Sequence, residues 1–190
     1  MYSSERDPYC YTDSDVLKNK ANLRTAQDLE QFETAMTFAR AEEPLPSGRF
    51  SIRHYCNVHH HLFQDVYVWA GRYRTIRLAK GESMFCYPEN IPTEMKRLFA
   101  WLKAERLIIG RPASEFAQAS AHFLAELNAI HPFREGNGRT QLAFLAMLAS
   151  HAGHPLDLDR LQPEATLDAM IGSFQGDEAP LRKLIATWIA

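Results

Sequence analysis

Residues 131–139 of this 190-residue chain read His-Pro-Phe-Arg-Glu-Gly-Asn-Gly-Arg, and several of them can do chemistry together. His131 carries an imidazole, a group that titrates near neutrality and can take a proton from an attacking hydroxyl. Gly136, Asn137 and Gly138 tolerate left-handed backbone, so successive main-chain N–H groups can point into one concavity. The segment then enters the N-terminus of a helix, whose first N–H groups lack internal partners and whose dipole end is positive. Together these make a backbone cradle for an anion such as phosphate. Arg139 adds a guanidinium able to fork onto phosphate oxygens. Glu135 beside such a site would repel the anion. A Mg²⁺ ion shared between this carboxylate and phosphate oxygens removes the conflict.

Such a loop needs a rigid element on each side. Upstream, Phe116, Phe123, Leu124 and Leu127 recur at helical spacing over residues 114–130, and Pro132 disfavours the α conformation at His131 and ends that helix. Downstream, a helix from Arg139 to about Ala152, stopped by Gly153, is apolar nearly all round, which predicts a central helix packed on every side. Thr25 and Asp28 resemble a capping box opening a helix that ends near Glu43, with Leu29, Phe32, Met36 and Ala39 on one face. Ser51 can cap the next, whose stripe is Ile52, Tyr55, Cys56, His59 and Phe63. Others are expected from Pro92 to about Glu105, from about Pro163, and from about Pro180 with Leu181, Leu184, Ile185 and Trp188. Between Trp69 and Pro88 apolar and polar residues alternate around Lys80-Gly81-Glu82, a hairpin signature. The expected fold class is all-α: a helical bundle around a central apolar helix with one exposed β-hairpin. A chain of this length, 46% hydrophobic, can bury about 70% of its unfolded surface, so residues 1–190 are expected to form one domain.

Composition excludes several classes. Lys+Arg 21 against Asp+Glu 23 gives a net charge of −2, with no basic excess for holding a nucleic-acid backbone. The longest apolar run, 142–149, is far short of the roughly 20 residues a membrane span needs. The polar, acidic start MYSSERDPYCYTDSD has no signal-peptide core, so a soluble, cytoplasmic protein is expected. Cys10, Cys56 and Cys86 form no CxxC pattern and are expected to be reduced. His59, His60 and His61 point about 100° apart on a helix and cannot share one metal ion.

HPFREGNGR closely resembles the signature of Fic-domain proteins, H-P-F-x-D/E-G-N-G-R-x-x-R. Trp69 to Arg74, followed by Lys80-Gly81 and Phe85, resembles that family's flap region. The stretch from Asp15 resembles the entry of its bacterial toxin-type branch. The resemblance implies an ATP-binding nucleotidyltransferase that moves AMP from ATP onto a side-chain hydroxyl of a protein (AMPylation). His131 would be the general base, Phe133 would anchor the loop in the core, and Glu135 would hold Mg²⁺. Gly136, Asn137 and Gly138 would cradle phosphates, with Arg139 on the leaving pyrophosphate. Lys80 and Gly81 of the flap would lie on the nucleotide side, while Ile76, Arg77, Leu78, Met84 and Phe85 would hold the target as an added strand. An open hairpin edge can template that pairing without any family precedent.

One position departs from the pattern. Leu142 stands where the signature has its second arginine, which in the family meets the terminal phosphate and the inhibitory glutamate. The family's inhibitory motif, Ser or Thr followed four residues later by Glu and then Gly or Asn, is also missing. The resemblance therefore implies control in trans by a small helical antitoxin in a toxin–antitoxin pair, with targets that include bacterial type II topoisomerase subunits. Leu142 also keeps two alternatives open: a Fic transferase with another donor or a reversed nucleotide (phosphate, UMP or phosphocholine), and a catalytically weak binding module.

Overall fold

The computed structural model describes residues 7–80 and 83–190, with only the main chain of Lys80 and Ser83. Seven helices carry the fold: α1 (Ala26–Ala41), α2 (Ile52–Phe63), α3 (Ile91–Ala104), α4 (Ala113–Ile130), α5 (Asn137–Ala152), α6 (Pro163–Phe174) and α7 (Ala179–Trp188). Two short strands, β1 (Ala79–Lys80) and β2 (Ser83–Met84), pair antiparallel with Ala79 opposite Met84. The all-α bundle with a small exposed hairpin is as expected, although the hairpin is shorter than the alternation from Trp69 to Pro88 implied. No described helix is long and apolar enough to cross a membrane.

Local signals set the helix ends. Thr25 Oγ1 accepts from the Asp28 N–H and donates to the Asp28 carboxylate, closing the capping box of α1. Ser51 caps α2 through the His54 N–H, and Gly153, at φ 88°, ends α5. Ala39 is exposed, so the inner face of α1 runs through Leu29, Phe32, Met36 and, unexpectedly, the buried Thr37.

The most surrounded helix is α4, which packs against α3, α5, α6 and α7. Its Ala117, Ala119, Ser120, Ala121 and Ala125 are buried. Side chains this small let four neighbours approach closely. α5 contributes Phe144, Leu145, Leu148 and Ala149 to the same core, but Leu142, Ala143, Ala146 and Met147 are only half-buried. Leu181, Ile185 and Trp188 of α7 are fully buried, so that stripe is packing.

Candidate functional site

The α4–α5 connection holds the segment singled out from sequence. His131 is the C-cap of α4 in the left-handed conformation (φ 47°, ψ 62°). Pro132 does end the helix, but His131 escapes into αL rather than into extended backbone. A non-glycine residue in this region is strained and persists only where its surroundings hold it. Here the His131 N–H donates to the Leu127 carbonyl at 3.0 Å, its carbonyl accepts from Arg74 Nε at 2.8 Å, and its ring stacks on Phe85 at 3.9 Å.

Arg74 is the organiser that residue type alone concealed. It is 2% exposed, and its guanidinium donates to the carbonyls of Ile130 and His131 on α4 and of Ile76 and Cys86 at the two feet of the hairpin. One cation thereby neutralises a helix C-terminus and joins the hairpin to the loop. Phe85, assigned to target binding from the resemblance, is 8% exposed and lies against His131 and Phe174 instead. Ile76 and Leu78 are half-buried, while Arg77 lies over the Tyr87 ring and Met84 is exposed. Gly81 lies outside the described residues, as does the side chain of Lys80.

Of the three cradle residues only Gly136 takes positive φ (80°); Asn137 and Gly138 already belong to α5, which begins two residues earlier than its spacing implied. The main-chain N–H groups available to an anion here are therefore those of a helix's first turn rather than of a loop nest. A Cβ on Gly136 would meet the Phe63 ring at 2.3 Å, whereas one on Gly138 would meet open space. The Asn137 side chain is spent internally: its Oδ1 accepts from the Phe133 N–H at 3.0 Å and its Nδ2 donates to the Phe133 carbonyl at 2.8 Å. That leaves Asn137 its main-chain N–H to offer a ligand. Phe133 itself is fully buried, stacked on Tyr55 and His59.

His59, read from sequence as one member of an apolar stripe, bridges two segments. Its Nδ1 accepts from the Gly71 N–H at 2.8 Å, so Nε2 carries the proton and donates to the Glu135 carbonyl at 2.9 Å. Burial pulls its pKa down to about 3. An unfolded chain binds this proton below about pH 6.5, so His59 costs stability progressively as pH falls from about 6.5 towards 3. Across that window the parent's unfolding free energy should fall by up to about 1.4 kcal/mol per pH unit at the steepest, and its thermal midpoint with it. In His59→Phe, which keeps the stacking, they should fall less steeply. Equal slopes would rule out the buried neutral imidazole as the source.

Glu135 is half-exposed, with Oε1 accepting from the Gly136 N–H and lying 3.7 Å from Arg139. Arg139 is already engaged. It pairs with Glu33 and donates to Thr37 Oγ1 on α1, while its guanidinium carbon sits 4.7 Å from the Phe63 ring centroid. Glu33 also accepts from the Tyr67 hydroxyl, which burial and the Glu33 charge keep protonated. Sequence gave no warning of this pairing, because Glu33 sits among Leu29, Phe32 and Met36 as an ordinary helical acid.

A cleft of about 920 Å³ runs beside the loop, a size typical of small-molecule sites. His131, Glu135, Asn137 and Gly138 are among its lining residues. α6 also lines it, through Leu167, Met170, Ile171 and Phe174, a contribution not anticipated from sequence. Arg139 and Gly136 are absent from the lining, and Leu142 belongs to it. Among the described residues no three His, Cys, Asp or Glu side chains are grouped so as to hold a metal ion.

Residues 49–149 match the Fic/DOC family. The chain is 52% identical over 181 residues to a probable protein adenylyltransferase y4lH of Sinorhizobium fredii, covering 95% of this chain and 94% of that one. It is 33% identical to the probable protein adenylyltransferase Fic of Escherichia coli, covering 97% and 93%. Among solved structures, the BepC protein of Bartonella tribocorum with bound AMPPNP superposes with a TM-score of 0.87 at 26% identity, covering 96% of each chain.

Proposed function

This chain belongs to the Fic/DOC family and is a protein adenylyltransferase, and we propose that the α4–α5 cleft is where it moves AMP from ATP to a target hydroxyl. The observation that carries the assignment is convergence: an imidazole, a carboxylate and the N-terminus of α5 line a single cleft. In the proposed reaction His131 takes the proton of the target hydroxyl, whose oxygen forms a bond to the α-phosphorus while the α–β phosphate bond breaks and pyrophosphate leaves. Main-chain N–H groups at the start of α5 hold phosphate oxygens. The apolar wall of α6 accommodates the flat base. The AMPPNP bound in the BepC relative supports a nucleotide as the ligand. Arg139 reaches phosphate only by sharing or leaving Glu33.

Mg²⁺ fits the donor set. A single half-exposed carboxylate beside an anion cradle, with no three-residue cluster among the described residues, suits an ion that takes most of its ligands from phosphate and water. Glu135 would hold it, and the ion would neutralise charge on the phosphates.

A methyl group placed on the open side of Gly138 tests the cradle. In a helical first turn Gly138→Ala should leave the thermal midpoint unchanged or slightly raised, yet cut transfer by about 10²-fold because phosphate can no longer approach the main chain. Full activity in this variant would move the phosphates elsewhere.

Transfer in a bacterial lysate tests the reaction itself. Label from α-labelled ATP should mark a protein band. Label from γ-labelled ATP alone would favour the second reading, a different donor or reversed nucleotide, for which Leu142 is the specific observation; labelling by neither would favour a binding module. Leu142 is half-buried and lines the cleft, so an arginine there can lay its stem on apolar neighbours and keep its charge in the cleft. Leu142→Arg should therefore tighten ATP binding about tenfold or more with little change in stability. A thermal midpoint lowered by several degrees without tighter binding would refute that placement.

Among finer readings, we propose that the chain acts in the cytoplasm as the toxin of a toxin–antitoxin pair. Its brake would be a small helical protein and its target a bacterial type II topoisomerase subunit. Growth arrest on expression, relieved by co-expression of such a partner, is the expected outcome.

A further inference from the structure

Gln141 is a polar side chain of this region that the proposed reaction leaves unused. It is 2% exposed, it lines the cleft, and its Nε2 has no hydrogen-bond partner among the described residues. The polar side chains of the preceding turn are satisfied: Asn137 clasps the Phe133 main chain, and Thr140 Oγ1 donates to the Gly136 carbonyl at 2.8 Å. An unpaired buried amide costs stability that an apolar residue of the same shape would not. Packing alone therefore gives no reason for an amide here.

The missing acceptor has an evident source. Gln141 lies three residues beyond Gly138 on α5, hence on nearly the same helix face and one turn deeper than the cradle. At that depth Leu142 supplies no polar group at all. The terminal torsion of glutamine is soft, so its NH₂ can swing into the cleft without moving the helix. We propose that Gln141 is a nucleotide-binding residue of this chain, its amide donating to an oxygen of the ATP phosphate chain held over the start of α5. A neutral donor at this depth reads phosphate without the second positive charge. The inference rests on the adenylyltransferase reading of the cleft.

Gln141→Met and Gln141→Glu are the informative variants, measured by ATP titration in a calorimeter and by thermal unfolding of the apo chain. Methionine preserves length and removes the orphaned amide. It should raise the thermal midpoint by about 2–4 °C while weakening ATP about tenfold or more. Glutamate keeps the shape but faces phosphate with a like charge, and should weaken ATP further. A methionine variant that binds ATP like the parent overturns the proposal. So does one whose midpoint falls, because the amide would then be holding the fold rather than waiting for a ligand. If the unmodified chain binds no ATP, the nucleotide reading of the whole cleft fails and takes this inference with it. Normal binding by the parent with unchanged binding by the variants sinks Gln141 alone.

Discussion

Replacing His131 by alanine should lower AMP transfer by about 10²–10⁴-fold while leaving ATP binding nearly intact. The loop does not depend on the imidazole for its path. The main-chain N–H of His131 is bonded to Leu127, its carbonyl to Arg74, and the next turn is pinned by Asn137 on Phe133. Among the contacts the variant loses is the stack on Phe85, worth about 0.5–1.5 kcal/mol and a few degrees of midpoint. His131 sits at φ 47°, a region that asparagine tolerates better than most residues. His131→Asn should therefore match or exceed the alanine variant in stability while remaining as inactive. That pairing separates chemistry from strain. If either folded variant transferred AMP at the parent rate, His131 could not be the base, however well placed it is.

The parts of the molecule legible in advance are those whose causes are local. Thr25 with Asp28, Ser51 and Gly153 act on backbone within a turn or so of themselves, so the helix ends they mark are found where spacing put them. The segment from His131 to Arg139 is contiguous, so its chemistry could be read before its geometry. Its details could not. Asn137 has the right type for a cradle, but which way its amide turns depends on Phe133 being drawn into a pocket made by Tyr55 and His59 of α2. Arg139 has the right type for phosphate, yet its immediate partner is Glu33 on α1, 106 positions away. His59 was legible as inward-facing but not as a neutral bridge between Gly71 and Glu135, since nothing in a helical stripe specifies what its polar edges will meet. In each case the residue type limited the options and contacts with other segments of the chain chose among them.

Arg74 is the extreme of that rule, and its removal should be the most destabilising single change considered. A charged residue at 2% exposure contradicts the ordinary preference for surface, and its side chain bonds to four main-chain carbonyls. Methionine at 74 would keep much of the stem's packing and strip all four acceptors of their donor, two of them at the negative end of α4. Leaving such groups buried and unpaired should cost about 3–5 kcal/mol. That is a large share of the roughly 5–15 kcal/mol that holds a domain together, and at about 2–4 °C per kcal/mol the midpoint should drop by roughly 10 °C. Lysine keeps the charge but gathers it at one point and cannot fork to carbonyls on both the helix and the hairpin, so Arg74→Lys should fall between parent and Arg74→Met. Activity should follow the same order for a separate reason. The Ile76 and Cys86 bonds tie the hairpin to the carbonyl of His131, so a loosened hairpin also frees Phe85 from the imidazole it supports. A fully stable Arg74→Met variant would show that the carbonyls find water or other donors. A stable but inactive one would show that Arg74 serves the position of His131 more than the integrity of the fold.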